Sequence, residues 1–358
     1  MTRATEARLD LAALRSNLQR ARELSPNSKM MAIIKANAYG HGLVRIGRAL
    51  MEDTDAFGVA SGEEAWALRM AGIQKPINLL EGFFDRDEFA QIEEHELDLT
   101  IHHVWQVNAL AEAKLNKPVN VWLKLDSGMH RLGLAPDLLD EACDHLMASG
   151  NVASLGYMTH LANADDEQDP FTNEQVSVFD KTIDSREGER NIANSAGIIA
   201  WPDSHREWAR PGIMLYGVSP MLGKKGEEHG LKPVMTLRSR LIAVNYLKKG
   251  DRVGYGGTWE CPEDMPVGVV AIGYGDGYPR HAREGTPVRV RDQLVPLIGR
   301  VSMDMITVDL RRVVQPRVGD EVTLWGEGLP IELIAEAAGT IGYELLCGVT
   351  PRVRMVEA

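Results

Sequence analysis

Ala32-Ile-Ile-Lys-Ala-Asn-Ala-Tyr-Gly-His-Gly42 decides how this chain is read. Met30 to Ile34 is an apolar run of the length a strand needs when both its faces are covered. Lys35 follows abruptly, at the rim of a core. Asn37, Tyr39, Gly40, His41 and Gly42 then crowd polar and backbone-permissive residues into one glycine-broken turn. A lone lysine at a strand end ordinarily snorkels to solvent. Shielded from water, it loses its proton more readily and can attack a carbonyl as a free amine. The remainder of the chain decides between these readings.

Beyond the stretch, strand-like apolar runs recur near 30–36, 55–60, 76–81, 97–102, 119–126, 152–161, 189–194 and 208–217. Amphipathic segments separate most of them: Leu43 to Met51, Glu63 to Ala71, Asp87 to His95, Val104 to Lys114, Pro136 to Met147 and Glu174 to Ile183. Residues 197–201 begin a short seventh helix. Ahead of the first strand, Leu9 to Leu24 has helical spacing, with Asp10 as a cap before Leu11, Leu14 and Leu18. Eight strands, each followed by a helix or loop, predict a (β/α)8 TIM-type barrel within residues 1–232. No G-x-G-x-x-G follows the first strand, which argues against a Rossmann dinucleotide site.

The texture changes at Leu231-Lys-Pro233. Alternating strands and tight turns follow at Val234 to Leu247, Val267 to Ile272, Val288 to Val290, Met305 to Leu310 and Asp320 to Trp325. One helix, Ile331 to Ala338, precedes a terminal strand at Arg352 to Val356. Residues 233–358 therefore read as a second, mostly β domain. The 358 residues carry a net charge of −12 and no long basic run, which argues against a nucleic-acid role. Cys143, Cys261 and Cys347 lie far apart without metal-ligand spacing, as expected of thiols in a reducing compartment. Neither a signal-peptide core nor a stretch of roughly 20 apolar residues is present, so a cytoplasmic protein without a membrane span is expected.

Strand C-terminal ends in a parallel barrel share one face, where active sites are built. Collecting the polar residues there gives Lys35 and Tyr39 after strand 1, Lys124 and Arg131 at or beyond strand 5, and His160 ending strand 6. Asn194-Ser195-Ala-Gly197 follows strand 7 and Arg210-Pro-Gly-Ile213 lies at strand 8. Each has a plain explanation alone: a hydrogen-bonded core histidine, a surface arginine, Ser195 as a helix cap. Their joint occurrence on one face favours a site. Ser195 with the Gly212 and Ile213 amides suits a phosphate, since barrels seat phosphates on the loops after strands 7 and 8. A phosphate cradle facing a lysine, with no Walker lysine, suggests pyridoxal 5′-phosphate held by Lys35 as a Schiff base.

The opening stretch closely resembles the cofactor-lysine signature of the alanine racemase family. The resemblance covers nearly the whole chain, through Leu123-Lys-Leu-Asp-Ser-Gly-Met-His-Arg-Leu-Gly133, Trp208-Ala-Arg-Pro-Gly-Ile-Met-Leu-Tyr-Gly217 and Pro233-Val-Met-Thr-Leu237. It continues with Val253-Gly-Tyr-Gly-Gly257, Gly273-Tyr-Gly-Asp-Gly-Tyr-Pro-Arg280, Gly299-Arg-Val-Ser-Met-Asp-Met305 and Gly342-Tyr-Glu-Leu-Leu346. It implies a cofactor-binding barrel followed by a β domain that the first few residues join, in a head-to-tail homodimer with shared sites. Lys35 would act on one face of the substrate Cα and Tyr255 of the partner subunit on the other. Racemisation needs both, because one proton leaves while another arrives opposite. Tyrosine is a poor base at its free pKa near 10, so neighbouring cations, Arg210 with His160, would have to lower it.

By the same resemblance Tyr39, Ser195, Gly212, Ile213 and Tyr343 would hold the phosphate, and Arg210 would face the pyridine nitrogen. A guanidinium has donors only, so that nitrogen would stay unprotonated, which favours racemisation over transamination. Arg131 would reach the substrate carboxylate or the cofactor's phenolic oxygen, and the Met303 amide would also bind the carboxylate. Lys124 matches a position carbamylated in some members, and Tyr274, Arg280 and Asp304 resemble an entry corridor. Alternatives are a serine or broad-specificity racemase, a decarboxylase, which usually has a glutamate where this chain has Arg210, and a non-catalytic carrier of the cofactor, which lacks the second domain. A metal-dependent enzyme is disfavoured, since His41, His160 and His205 lack grouped carboxylates.

Overall fold

The computed structural model describes residues 4–358. Eight parallel strands close into a barrel in sequence order: β2 (Lys29–Ile33), β3 (Ala56–Val59), β4 (Ile77–Leu79), β5 (Asp98–Ile101), β6 (Val119–Lys124), β7 (Val152–Met158), β8 (Arg190–Asn191) and β9 (Trp208–Ala209). All eight runs expected from sequence are strands. The last is shorter than expected because the chain turns at Pro211 and coils through a 3-10 turn at Ile213–Tyr216. Met30 to Ile33 are buried without alternation, as a strand packed inside and outside requires.

Helices at Leu43–Leu50, Gly62–Met70, Phe89–Glu94, Val104–Ala111, Leu139–Ala148, Phe171–Ile183 and Ser195–Ala200 fill the crossovers. Leu9 departs from expectation: it ends a strand, β1 (Glu6–Leu9), and the helix runs from Leu11 to Leu24. Asp10 caps that helix, its Oδ1 accepting from the Ala13 amide at 2.9 Å. β1 lies between β10 (Met235–Leu247) and β18 (Arg354–Glu357), so the N-terminal segment belongs by pairing to the second sheet from its first strand onward; residues 1–3 lie outside the described residues.

β11 (Arg252–Val253) and β12 (Trp259–Glu260) form a small hairpin. The larger sheet adds β13 (Met265–Val270), β14 (Pro287–Val290), β15 (Gln293–Ile298), β16 (Ile306–Asp309) and β17 (Glu321–Trp325). The first half of β10 pairs with β17 and its second half with β13, which closes β13-β16-β15-β14-β17-β10 into a ring. Helices Ile331–Ala338 and Gly342–Cys347 lead back towards the barrel mouth.

The joint between the two parts is a polar clamp inside an apolar core. Asn17, fully buried in the first helix, donates Nδ2 to the Leu215 carbonyl at 3.0 Å and the Lys232 carbonyl at 2.8 Å. Its Oδ1 accepts the Lys232 amide at 2.8 Å. Gly217, at φ +83°, lets the chain pass beside Lys232; a β-carbon there would collide with the Lys232 carbonyl. Asn17→Ala leaves three backbone groups without their side-chain partner, one buried and two part-buried, and urea unfolding should show a loss of about 3 kcal/mol.

Candidate active site

The strand ends of the barrel open into a cavity of about 1250 Å3. Lys35, Tyr39, Lys124, Arg131, His160, Ser195, Arg210, Gly212, Ile213 and Tyr343 all line it. β2 ends at Ile33, and Lys35 opens a turn of unusual hand. Ala36, Asn37, Ala38 and Tyr39 have φ between 50° and 54°, a left-handed helical turn made without glycine. That conformation costs about 1–2 kcal/mol per L-residue. Neighbouring groups hold it: Asn37 Oδ1 accepts the Leu43 amide at 2.9 Å, and Glu64 accepts the Asn37 amide at 3.2 Å and the Ala60 amide at 2.9 Å. Gly40 closes the turn at φ +80° against the Leu346 carbonyl, where a β-carbon has no room.

The turn brings the Tyr39 ring to 4.7 Å from Tyr216 and 6.0 Å from Tyr343. Burial, above all other effects, raises the Tyr39 and Tyr343 phenols, so both stay protonated donors. Asn194, and not Ser195, caps the helix Ser195–Ala200, taking the Gly197 amide on Oδ1 at 2.9 Å. Ser195 Oγ instead accepts the Gly212 amide at 2.8 Å and the Met214 amide at 3.3 Å, which leaves its proton to donate. A β-carbon on Gly212 would stand 2.9 Å from the Tyr39 hydroxyl. Two hydroxyls therefore meet over a glycine, an arrangement that suits an anion.

Arg210 is buried at the centre of the mouth. Its Nη1 donates to Asn191 O (2.8 Å) and Asn191 Oδ1 (2.6 Å), and its Nη2 to Thr159 O (2.6 Å) and Ile192 O (3.1 Å). These acceptors are neutral, and burial lowers the affinity of Arg210 for its proton. His160 Nδ1 lies 3.4 Å from Arg210 Nη2. Burial first, then Arg210, Lys124, Arg131 and Lys35, holds His160 well below its ordinary value. It is therefore neutral, and cannot be one of the cations the sequence reading asked to lower Tyr255. Lys124 is pushed down to about 8 by burial, then by Arg210, Arg131 and Lys35, with Glu81 opposing. Arg131 reaches the cavity from a loop that Asp126 organises, its Oδ1 accepting the Gly128 and His130 amides at 3.0 Å each.

The other named residues stand elsewhere on this chain. Tyr255 (69 % exposed), Met303 (52 %) and Tyr274 (40 %) lie on the surface of the second domain, Arg280 is exposed, and Asp304 pairs with Arg352. Glu81 and Cys347, unnamed by the sequence reading, also line the cavity. Glu81 was within reach of the rule that selected Lys35, being the first charged residue beyond a barrel strand. Among the described residues no group of three or more His, Cys, Asp or Glu side chains could hold a metal ion.

Comparison with known proteins agrees with this geometry. Residues 9–220 match the profile described as the N-terminal domain of alanine racemase, and residues 234–357 match that of its C-terminal domain. This chain belongs to the alanine racemase family. An alanine racemase of Halorhodospira halophila is 51 % identical over 355 residues, covering 99 % of this chain and 98 % of that one. The crystal structure of the biosynthetic alanine racemase from Pseudomonas aeruginosa superposes with a TM-score of 0.97 at 44 % identity, with full coverage of both chains. The structure of the Acinetobacter baumannii alanine racemase gives 0.95 at 38 %, also with full coverage.

The charge balance at Lys124 has a measurable consequence. Its folded value, about 8, lies below the ordinary 10.5, so between those pH values the unfolded chain binds more protons. The penalty is full below pH 8 and is relieved as pH rises to 10.5. In carbon-dioxide-free buffer, where Lys124 stays a free amine, urea unfolding should show this protein gaining on the order of 3 kcal/mol over that window relative to Lys124→Met.

Proposed function

We propose that this chain interconverts L- and D-alanine with pyridoxal 5′-phosphate bound in the barrel mouth. The observation that carries the reading is the convergence of Lys35, the Tyr39–Ser195–Gly212 cradle and the buried Arg210 on one cavity. The residues present fit the group: the cradle offers two hydroxyl donors where a β-carbon on Gly212 would intrude, and the amine stands on the same rim. Tyr39, Ser195, Gly212, Ile213 and Tyr343 would hold the phosphate, Arg210 and His160 the ring, and Lys35 the aldehyde carbon. When bound, the cofactor supplies an electron sink that acidifies the substrate Cα–H.

The protein supplies the rest. Arg131 and the Met303 amide bind the substrate carboxylate, Lys35 moves a proton at one face of Cα, and Tyr255 of the partner subunit moves one at the other. Tyr255, Met303 and Tyr274 lie exposed outside the cavity of their own chain, which supports a homodimer in which a second copy delivers them. Because His160 is neutral, Arg210 and Arg131 are the cations left to lower the Tyr255 phenol. Lys124, an amine with depressed basicity among cations, suits carbamylation by carbon dioxide, which would place an anion beside Arg131. Tyr274, Arg280 and Asp304 narrow the entrance to alanine-sized substrates. The barrel unit lies within 1–232 and the β unit comprises 233–358 together with the N-terminal strand Glu6–Leu9. The protein works in the cytoplasm, supplying D-alanine for peptidoglycan or degrading alanine.

Purified protein incubated with each L-amino acid should form the D-enantiomer chiefly from alanine, by chiral chromatography. A bound cofactor spectrum with no enantiomer formed from any amino acid would leave a carrier, and preference for serine would reassign the substrate. Lys35→Ala and Tyr255→Ala proteins, each inactive, should regain up to about a quarter of the activity when mixed, through hybrid dimers carrying one intact site. Subunit exchange without recovery overturns the shared site.

A further inference from the structure

His41 lies outside the machinery assigned above, although it follows the cofactor turn directly. It is fully buried. Its Nδ1 lies 2.9 Å from the Tyr39 carbonyl and 3.1 Å from the Ala38 carbonyl, two residues of the left-handed turn. A lone pair facing two carbonyl oxygens would be repelled, so the ring proton sits on Nδ1 and is shared between them. Nε2 is buried without a partner among the described residues. The ring leans on Tyr216 at 4.6 Å; the Tyr216 ring contacts Tyr39 at 4.7 Å, and its hydroxyl donates to the Ile33 carbonyl at 3.2 Å. The His41 carbonyl in turn accepts from Arg45 at 2.9 Å.

The four residues of the turn have a backbone that their side chains disfavour, and a released turn would relax towards the right-handed hand. Asn37 and Glu64 hold its outer side. His41 is the side chain that holds the carbonyls on its inner side, including that of Tyr39 itself. We propose that His41 is a positioning residue whose Nδ1–H locks the left-handed turn, so that Lys35 and the Tyr39 hydroxyl face the cavity together. Burial pushes its pKa down to about 4, so it remains a neutral, single-proton clamp across the working range of pH.

This role rests on the reading of Lys35 and Tyr39 as cofactor ligands. Three variants separate the donor from the ring. His41→Asn keeps an N–H near the δ position without the ring, His41→Phe keeps the ring without the donor, and His41→Leu keeps neither. Pyridoxal 5′-phosphate titrated by absorbance, with borohydride trapping at Lys35, should show dissociation constants raised about tenfold or more in His41→Phe and His41→Leu. His41→Asn should stay within about threefold of the parent. A His41→Phe protein equal to the parent, or a His41→Asn protein as weak as His41→Leu, overturns the role. The latter comparison decides the matter if His41→Phe does not fold.

A second readout needs no cofactor. Long-range 1H–15N spectra of histidine-labelled parent protein should show His41 neutral with its proton on Nδ1. An Nε2–H tautomer or an imidazolium overturns the clamp whatever the activity. If the parent shows that tautomer yet forms no borohydride-stable link at Lys35, the proposed function fails and the clamp remains.

Discussion

The buried guanidinium of Arg210 sets the terms for the rest of the barrel mouth. It is saturated by carbonyl and amide oxygens from β8, its following loop and the end of β7, all of them neutral. Its charge is therefore solvated but not cancelled. Burial already lowers the affinity of Lys124 and His160 for protons, and Arg210 lowers it further, while Lys35 and Arg131 add positive charge to the same cavity. A site of this kind is incomplete without anions. A phosphate at one end and a carboxylate at the other would supply what the polypeptide withholds, and the desolvated cations would bind them more strongly than exposed ones could.

The left-handed turn after β2 is the second constraint. A lysine on an ordinary helix would point along a direction fixed by that helix. Reversing the hand over four residues turns the chain sharply, so that Lys35 and Tyr39 line one cavity while Asn37 faces the α-helix Leu43–Leu50. The energetic cost is met by groups from several places: a side chain within the turn, a carboxylate beyond β3, and the buried imidazole of His41 just after it.

Much of this was legible in the sequence, because its signals were local. The unbroken burial of Met30 to Ile33, the Asp10 cap and the Ile331–Ala338 helix follow from patterns a few residues long. What escaped depends on distant partners. Leu9 is a strand residue because β10 and β18 flank it, not because of its neighbours. β15 carries Pro296, which reads as a breaker but is tolerated opposite Pro287. Nothing in Ala-Asn-Ala-Tyr signals a left-handed turn, because the groups that hold that hand are packed around it. Ser195 and Asn194 are equally good caps on paper; the Gly212 and Met214 amides draw Ser195 away. Most of the cavity's charged members were found where they follow barrel strands, although Glu81 was missed there; Tyr343 came only through the family resemblance, and Cys347 enters from the second domain.

The contact between Gly40 and Leu346 links the start of the site to the end of the polypeptide. Domains emerging from the ribosome fold N-terminal first, so the barrel can close while its left-handed turn still lacks the helix it rests against. The mouth acquires its final form only when the helix Gly342–Cys347 has been released and packed back. A chain stopped short near its C-terminus would leave a barrel with the right strands and an unfinished mouth.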